Sequence, residues 1–329
     1  MRWARKWAYS PKLATYLVQQ AVSTDIIHMH SMWLYPNLAG SRAARRAGTP
    51  YIVRPAGSLE PWSLENRKLK KKLYLSLISR RILNGAARIH AVSPQEAGRI
   101  ETFGFKSPVI MVPNGVQIRD IRLQESKKSA LMALNWPRAR KRILFLGRID
   151  PKKGVELLLK AFSLIDAESL DARLVFVGPD DHHYAQGIKA KASRMRESSR
   201  IHFVGELLGE RKWRAFRAAD IFVLPSYSEN FGNAVLEALS VGTPVAVSQN
   251  TPWESVRQRG AGYWLPRETN AFAEAILKVI SSEELHSSMS RAAIDLASEF
   301  SWESVSSRMT EVYNDVLVET CSQPGIGKS

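Results

Sequence analysis

The sequence predicts two doubly wound α/β domains, each built on a mainly parallel sheet, and three observations predict them. Short apolar runs alternate with helical patterns through most of the chain, the rhythm of strand–helix–strand units. That rhythm stops over 117–140, a charged and weakly periodic stretch, and restarts at Lys141. At 329 residues the chain is long for one hydrophobic core and natural for two.

Composition narrows the class. The chain is 45% hydrophobic and 24% charged, the balance of a soluble globular protein. Its single cysteine, Cys321, excludes an intrachain disulfide and suits a reducing compartment. No apolar run approaches the ~18 residues of a membrane span. Residues 1–6 lack the apolar core and cleavage site of a signal peptide. The net charge of +16 is unevenly spread: residues 1–120 hold 19 Lys+Arg against 6 Asp+Glu, and the remainder 28 against 25. The first half is therefore expected to meet a polyanion: an anionic membrane surface, a phosphorylated carrier or nucleic acid. A merely solubilising surplus is the alternative.

In order, 11–24 has the pattern of an amphipathic helix, with Leu13, Tyr16, Leu17 and Val18 apolar. Residues 25–30 form a strand, a helix starts near Pro36, and 50–54 form a second strand. Proline and glycine make 55–62 a loop. Residues 63–84 read as one long basic helix. Its apolar face is Leu64, Leu69, Leu73, Leu77 and Ile78; Lys68, Lys70, Lys71, Lys72, Arg80 and Arg81 crowd the rest. Strands at 88–92 and 108–112 bracket a helix that Ser93 caps and Pro94 opens. Pro113-Asn114-Gly115-Val116 is a turn. In the second half, strands at 142–146, 173–177, 201–204, 221–224 and 244–247 alternate with helices at 154–165, 184–196, 210–218 and 232–240. Residues 270–318 are all helical. The expected division is 1–120, 121–300 and a C-terminal helix at 301–329.

In open parallel sheets, ligands bind outside the carboxyl ends of the strands. Two of the loops there carry chemistry. Ser226-Tyr227-Ser228-Glu229-Asn230-Phe231-Gly232 follows a buried strand and runs into a helix that carries Glu237. A helix start offers unpaired N–H groups and a positive dipole end, and Gly232 lets a ligand approach the backbone. Two carboxylates flanking an anion site suit a ligand with both hydroxyls and a phosphate, such as a nucleotide-sugar. The loop Gly147-Arg148-Ile149-Asp150-Pro151-Lys152-Lys153-Gly154 sets two cations beside another helix start. Arg148 and Lys153 can neutralise a diphosphate, with an ordinary solvated loop as the alternative. Asp180-Asp181-His182-His183 reads as a solvated loop, since consecutive residues rarely converge on one metal. Trp253, Trp264 and Trp302 read as core or domain-joining residues.

The order Gly147-Arg148, Lys153-Gly154, Val177-Gly178-Pro179, Phe203-Val204-Gly205, Pro225-Ser226, Glu229, Phe231-Gly232 and Glu237-Ala238 resembles the glycosyltransferases of family 4, also called group 1, with the GT-B fold. The likeness runs from about Asp25 to about Leu317 and in the first half includes His28-Met29-His30 and Val112-Pro113-Asn114-Gly115-Val116. It implies two Rossmann-like domains, the first lacking the usual initial strands, with C-terminal helices crossing back near Trp302. It implies a retaining hexosyltransferase that moves a sugar from a nucleotide-diphosphate sugar to a glycan or lipid-linked acceptor in surface polysaccharide biosynthesis. By the same resemblance Arg148 and Lys153 hold the diphosphate and Glu229 contacts the transferred sugar, these three being the catalytic set. Glu237 bonds the ribose, and Gly147, Asn230, Phe231, Gly232 and Asn233 surround the donor. No metal and no cofactor beyond the donor is implied.

Two positions depart from the family. Where many relatives carry Pro-His-Gly beside the sugar, this chain has Pro55-Ala56-Gly57, and His28 or His30 is the candidate stand-in. About 24 residues precede the strand at 25–30, where relatives carry a strand, a glycine-rich loop and a helix. The alternative function is therefore a catalytically impaired nucleotide-sugar-binding protein with an incomplete acceptor domain. No nucleic-acid motif accompanies the charge, so no nucleic-acid partner is expected. The expected location is cytoplasmic, with the basic first domain against the inner face of the membrane.

Overall fold

The computed structural model describes residues 7–65, 68–118, 126–136 and 139–322. The chain divides into two compact units: one takes it up to Pro113 and again from Val305, the other takes Asn114–Ser304. Both are α/β units with all-parallel sheets, as the strand–helix rhythm predicts. The boundary expected at 120/121 lies outside the described residues.

The sheet of the first unit runs β1 (Ile27–His30), β2 (Tyr51–Arg54), β3 (Arg88–Ala91) and β4 (Val109–Met111), all parallel. Helices cover both faces, so β2 is a continuous apolar run with Tyr51, Ile52 and Val53 at 2% exposure or less. Met32, Leu59, Ile82, Leu83, Ile89 and Ile100 complete its core. The helix Pro94–Glu101 starts as its sequence predicts: Ser93 Oγ accepts from Glu96 N at 3.2 Å, and proline takes the first turn.

The basic stretch differs from its prediction. It is Pro61–Glu65, then Lys68–Tyr74, a π-helical turn at Leu75–Ser79, and Arg80–Asn84. Leu75 and Ile78 pack on the core with Ile82 and Leu83. Leu69, Leu73 and Leu77, assigned to that face, are instead 83%, 61% and 59% exposed. The π-turn adds a residue to one turn and changes the helix's phase. The leucine row begins before that turn, and at about 100° per residue it already lies opposite Leu75 and Ile78, so it faces away from the core.

The C-terminal helix Trp302–Ser322 belongs to the first unit from Val305 onward. Trp302 is 54% exposed and lies on Gly115, where a Cβ would come within 2.6 Å of its Cε3. Further along, Tyr313 closes a chain of hydrogen bonds. The Val112 carbonyl can only accept, so His90 Nε2 carries the proton of their 2.7 Å bond. His90 Nδ1 then accepts from His28 Nε2 at 3.2 Å, which leaves His28 Nδ1 to accept the Tyr313 hydroxyl at 2.8 Å. His28 is thus engaged structurally, while His30, stacked on it at 4.7 Å, remains exposed.

Burial, with help from neighbouring His90, His30 and Arg54, pulls His28 down to about 3; burial likewise holds His90 at about 4. Both are neutral when folded and titrate near 6.5 when unfolded, so the unfolded chain binds more protons in between. Their contribution to stability is complete above pH ~6.5 and is lost as pH falls toward 4. The urea midpoint should drop between about pH 7.5 and about pH 5, and His28→Asn should flatten that drop. Equal drops in both proteins would show that this histidine does not titrate with unfolding.

The second unit carries six parallel strands in the order β10 (Gly262–Leu265), β9 (Val245–Ser248), β8 (Ile221–Leu224), β5 (Lys141–Leu146), β6 (Ala172–Val177) and β7 (Ile201–Phe203). β8 and β9 are buried along their whole lengths. From β5 the chain winds outward to β7, then returns to lay β8 on the other side of β5, with Ile143 opposite Ile221. That reversal is a topological switch point, where open α/β sheets part and leave a crevice. β10 is an edge strand that the sequence pattern does not announce, because it opens on Gly262 and is only half-buried. The stretch expected to be a linker contains the helix Lys127–Leu134, which buries Ala130 and Leu134 and pairs Lys127 with Asp220 at 2.6 Å. One short helix with two core residues is too little for periodicity to detect.

Candidate active site

The switch point brings the loop after β5 beside the loop after β8. They touch at Gly154, whose φ of 71° belongs to the left-handed region, and a Cβ there would clash with the Pro225 carbonyl. Tyr227 N donates to Lys152 O at 2.7 Å and ties the loops together. Asp150 caps the intervening turn by accepting from Lys152 N at 2.9 Å. This geometry delivers Lys153 Nζ to within 2.6 Å of Glu229 Oε1.

Glu229 is 8% exposed, and a carboxylate removed from water needs partners. It has two: Lys153, and Ser226 Oγ donating at 2.7 Å. Ser226 is in turn held by Ser248 of β9, whose Oγ donates to its carbonyl at 2.6 Å. Asn250 Nδ2 donates to Tyr227 O at 2.9 Å, and the Asn250 backbone carbonyl accepts from Glu229 N at 3.3 Å. Arg267 Nε donates to Pro225 O at 3.1 Å, and its guanidinium lies 3.2 Å from the centroid of the Tyr227 ring. The carboxylate's position is therefore set by β8, β9, and the loops after β5, β9 and β10.

The helix Asn233–Ser240 opens immediately beyond, capped by Gly232 at φ 84°. Beneath it, Trp253 Nε1 donates to the Phe231 carbonyl, and the rings of Phe231, Trp253 and Phe300 pack at 5.2 and 5.4 Å between centroids. The first-turn amides lie at the positive end of the helix dipole. Asn233 Oδ1 accepts from Asn114 Nδ2 at 2.7 Å. Glu237, one turn on, pairs with Lys212 at 2.8 Å, and Lys212 lies 4.7 Å from the Trp213 ring centroid.

Glycines line the other side. Gly147 N donates to Val177 O at 2.9 Å and Gly178 N to Gly205 O at 2.8 Å, so the ends of β5, β6 and β7 are stitched together. A Cβ on Gly178 would clash with the Gly147 carbonyl. Arg148 extends exposed from this row.

Of the residues singled out in the sequence, Lys153 and Glu229 form a direct pair. Arg148, Gly147 and the 230–233 backbone lie on the same two loops, and Glu237 sits farther along its helix in a separate pair. Lys212, Asn250, Trp253 and Arg267 were not foreseen as parts of this site, and Ser226 and Tyr227 stood in the expected loop without an assigned role. Ser226 had a signal, being the first polar residue after a buried strand. Lys212 and Arg267 had none, since each reaches the site from a distant element. The Asp180–His183 run stays a surface feature: Asp180 pairs with Lys189 at 2.6 Å, and His183 starts a helix.

In the first unit, Pro55-Ala56-Gly57 forms its own strand-end feature. Ala56 adopts φ 51°. Glu96, 3% exposed, accepts from Gly57 N at 2.7 Å and from Val92 N at 2.9 Å, fixing this loop to the next strand end.

Comparison with known proteins agrees with this architecture. Residues 127–296 match the family model of glycosyl transferases group 1, and residues 2–115 match that of the glycosyl transferase 4-like domain. A D-inositol 3-phosphate glycosyltransferase of Streptomyces griseus is 29% identical over 319 residues, covering 89% of this chain and 67% of the relative. A phosphatidyl-myo-inositol mannosyltransferase of Mycobacterium leprae is 27% identical over 307 residues, covering 89% and 74%. Among solved structures, sucrose-phosphate synthase of Thermosynechococcus elongatus superposes with a TM-score of 0.77 at 21% identity, covering 94% of this chain and 81% of that one. HepE of Anabaena, in complex with UDP and glucose, superposes with a TM-score of 0.79 at 19% identity, covering 92% and 80%.

Proposed function

The chain belongs to the group 1 glycosyl transferases, and from that premise we propose that it transfers a hexose from a nucleoside-diphosphate sugar to a hydroxyl of a glycan or lipid-linked acceptor, with retention at the anomeric carbon. The observation that carries this reading is the Lys153–Glu229 pair at the switch point, next to a helix start. Breaking the sugar–phosphate bond puts charge on the leaving diphosphate, and preorganised donors aimed at that charge are the largest usual catalytic term. Lys153, Arg148 and the amides at Asn233 and Ala234 supply positive potential there. This donor set favours a metal-independent reaction. Glu229 accepts from hydroxyls of the transferred sugar, and Glu237 exchanges part of its bond with Lys212 for the ribose hydroxyls.

The two curated relatives are named for D-inositol 3-phosphate and phosphatidyl-myo-inositol, and those names support a phosphorylated or lipid-borne acceptor here. The excess of 19 Lys+Arg over 6 Asp+Glu in residues 1–120 supports peripheral contact with an anionic membrane surface, and a role in surface polysaccharide assembly fits both. A second reading, donor binding without transfer, is favoured by Ala56 standing where relatives carry histidine. A calorimetric screen of UDP-, GDP- and ADP-sugars, followed by transfer assays with the bound donor, tests both readings. Binding with transfer supports the first and binding without transfer the second. Absence of binding to all three sinks both.

A further inference from the structure

One surface of the first unit is unlike the rest. Along the helical run from Lys68, the leucines at i, i+4 and i+8 form a stripe: Leu69 at 83%, Leu73 at 61% and Leu77 at 59% exposure. At about 100° per residue they fall within one narrow sector, and Lys72 and Lys68 flank it on one side and Lys70 on the other. All three lysines are exposed. Lys71, on the opposite face, turns inward, 5.4 Å from the Trp33 ring centroid. Leu75 and Ile78, also opposite, hold the helix to the core. The helix therefore has two apolar faces, one paired with protein and one facing out. Aromatic rings border it: Trp33 and Trp7 pack on Tyr74 at 5.9 and 6.4 Å, and Trp62 is 44% exposed.

We propose that this stripe is a membrane anchor: Leu69, Leu73 and Leu77 insert into the headgroup–acyl boundary of an anionic bilayer, and Lys68, Lys70 and Lys72 reach back to lipid phosphates. This deepens the surface-contact part of the function proposed above; it rests on that part and not on the donor chemistry. A polar-flanked row of large aliphatic side chains on a cationic helix is the pattern of an interfacial helix lying in the membrane plane. Long lysine stems cover apolar surface while their charges stay at headgroup level. A second copy of this chain is a poor occupant, because the same cationic rows would face each other across a stripe far smaller than a stable dimer interface. An anionic lipid surface satisfies leucines and lysines together.

The test is flotation of the full chain with vesicles of equimolar phosphatidylcholine and phosphatidylglycerol, and of phosphatidylcholine alone, at about 0.1 M and about 1 M salt, where the Debye length falls from about 10 Å to about 3 Å. The expected result is strong binding to the anionic vesicles at low salt and a residual at high salt. Leu69→Ser/Leu73→Ser/Leu77→Ser should lower partitioning about tenfold or more at low salt and remove the residual. Melting and nucleotide-sugar binding should be nearly unchanged, since these side chains are mostly exposed and lie outside the core cluster. Leu73→Trp should shift its emission to the blue on vesicles and be quenched by brominated lipid. Serine variants that bind like the wild type at both salts, or an unquenched Leu73→Trp, would overturn insertion while leaving an electrostatic contact standing. A wild type that ignores vesicles would overturn both. A dimer that the serine variant dissociates, without vesicle binding, would assign the stripe to a second copy and overturn the membrane proposal.

Discussion

Lys153→Ala lowers kcat/KM for sugar transfer about 10²–10³-fold, the usual loss when one preorganised donor to a developing oxyanion is removed. Two effects combine in this substitution and can be separated. Lys153 faces the site where the diphosphate charge grows, so its loss raises the barrier. It also neutralises Glu229, 8% exposed, so its loss leaves a carboxylate held by Ser226 without its cation. Leaving a buried carboxylate without its cation costs about 3–5 kcal/mol of stability. The double variant Lys153→Ala/Glu229→Gln removes the uncompensated charge while keeping a side chain that Ser226 can bond. It should regain most of the lost stability and none of the lost transfer. Recovery of both together would mean that Lys153 acts only by holding the loop, and the catalytic assignment would fall.

Gly154→Ala should damage the second unit severely. The position needs φ near 71°, and the added Cβ meets backbone at Pro225, with no flexible side chain to give way. Overpacking against fixed backbone at a left-handed position costs about 3 kcal/mol or more, roughly 6–12 °C in Tm for a unit of this size. Because Lys153 precedes Gly154 and Pro225 precedes Ser226, any relief parts Lys153 from Glu229, so transfer falls with stability. Gly187→Ala is the matched control. Gly187 lies inside the helix His183–Ala192 with nothing within 4 Å of its would-be Cβ, so that change should stabilise by about 0.5–1 kcal/mol. A Gly154→Ala protein that melts and turns over like the wild type would show that the two loops do not depend on this contact.

Much of the fold was legible because buried parallel strands are short continuous apolar runs with turn residues at both ends. β8, Ile221–Leu224, is such a run, and all four of its side chains are buried. Local capping was legible for the same reason: Ser93 and Pro94 signal a helix start through chemistry within one turn, and the bond from Glu96 N to Ser93 is there. What failed needed information outside the window. The row Leu69, Leu73, Leu77 has the period of a core face, and only its exposure beside the packing of Leu75 and Ile78 shows that the core is met from the other side.

The sequence by itself determined the class of the fold, the membership of its motifs in a transferase family, and the residue types of the donor site: cations on one loop, carboxylates and a glycine-capped helix start on another. Those follow from local chemistry, since hydrophobic period, capping and left-handed glycines are properties of neighbouring residues. Which loops meet was decided only in three dimensions. Lys153 and Glu229 are 76 residues apart, and they touch because β8 returns to pair with β5. The pairing of Glu237 with Lys212, the support of Gly232 by Trp253, and the outward turn of the leucine stripe were decided in the same way. Strand order and helix phase are set by how whole layers bury their apolar faces against one another, a sum over the entire core that no local stretch contains.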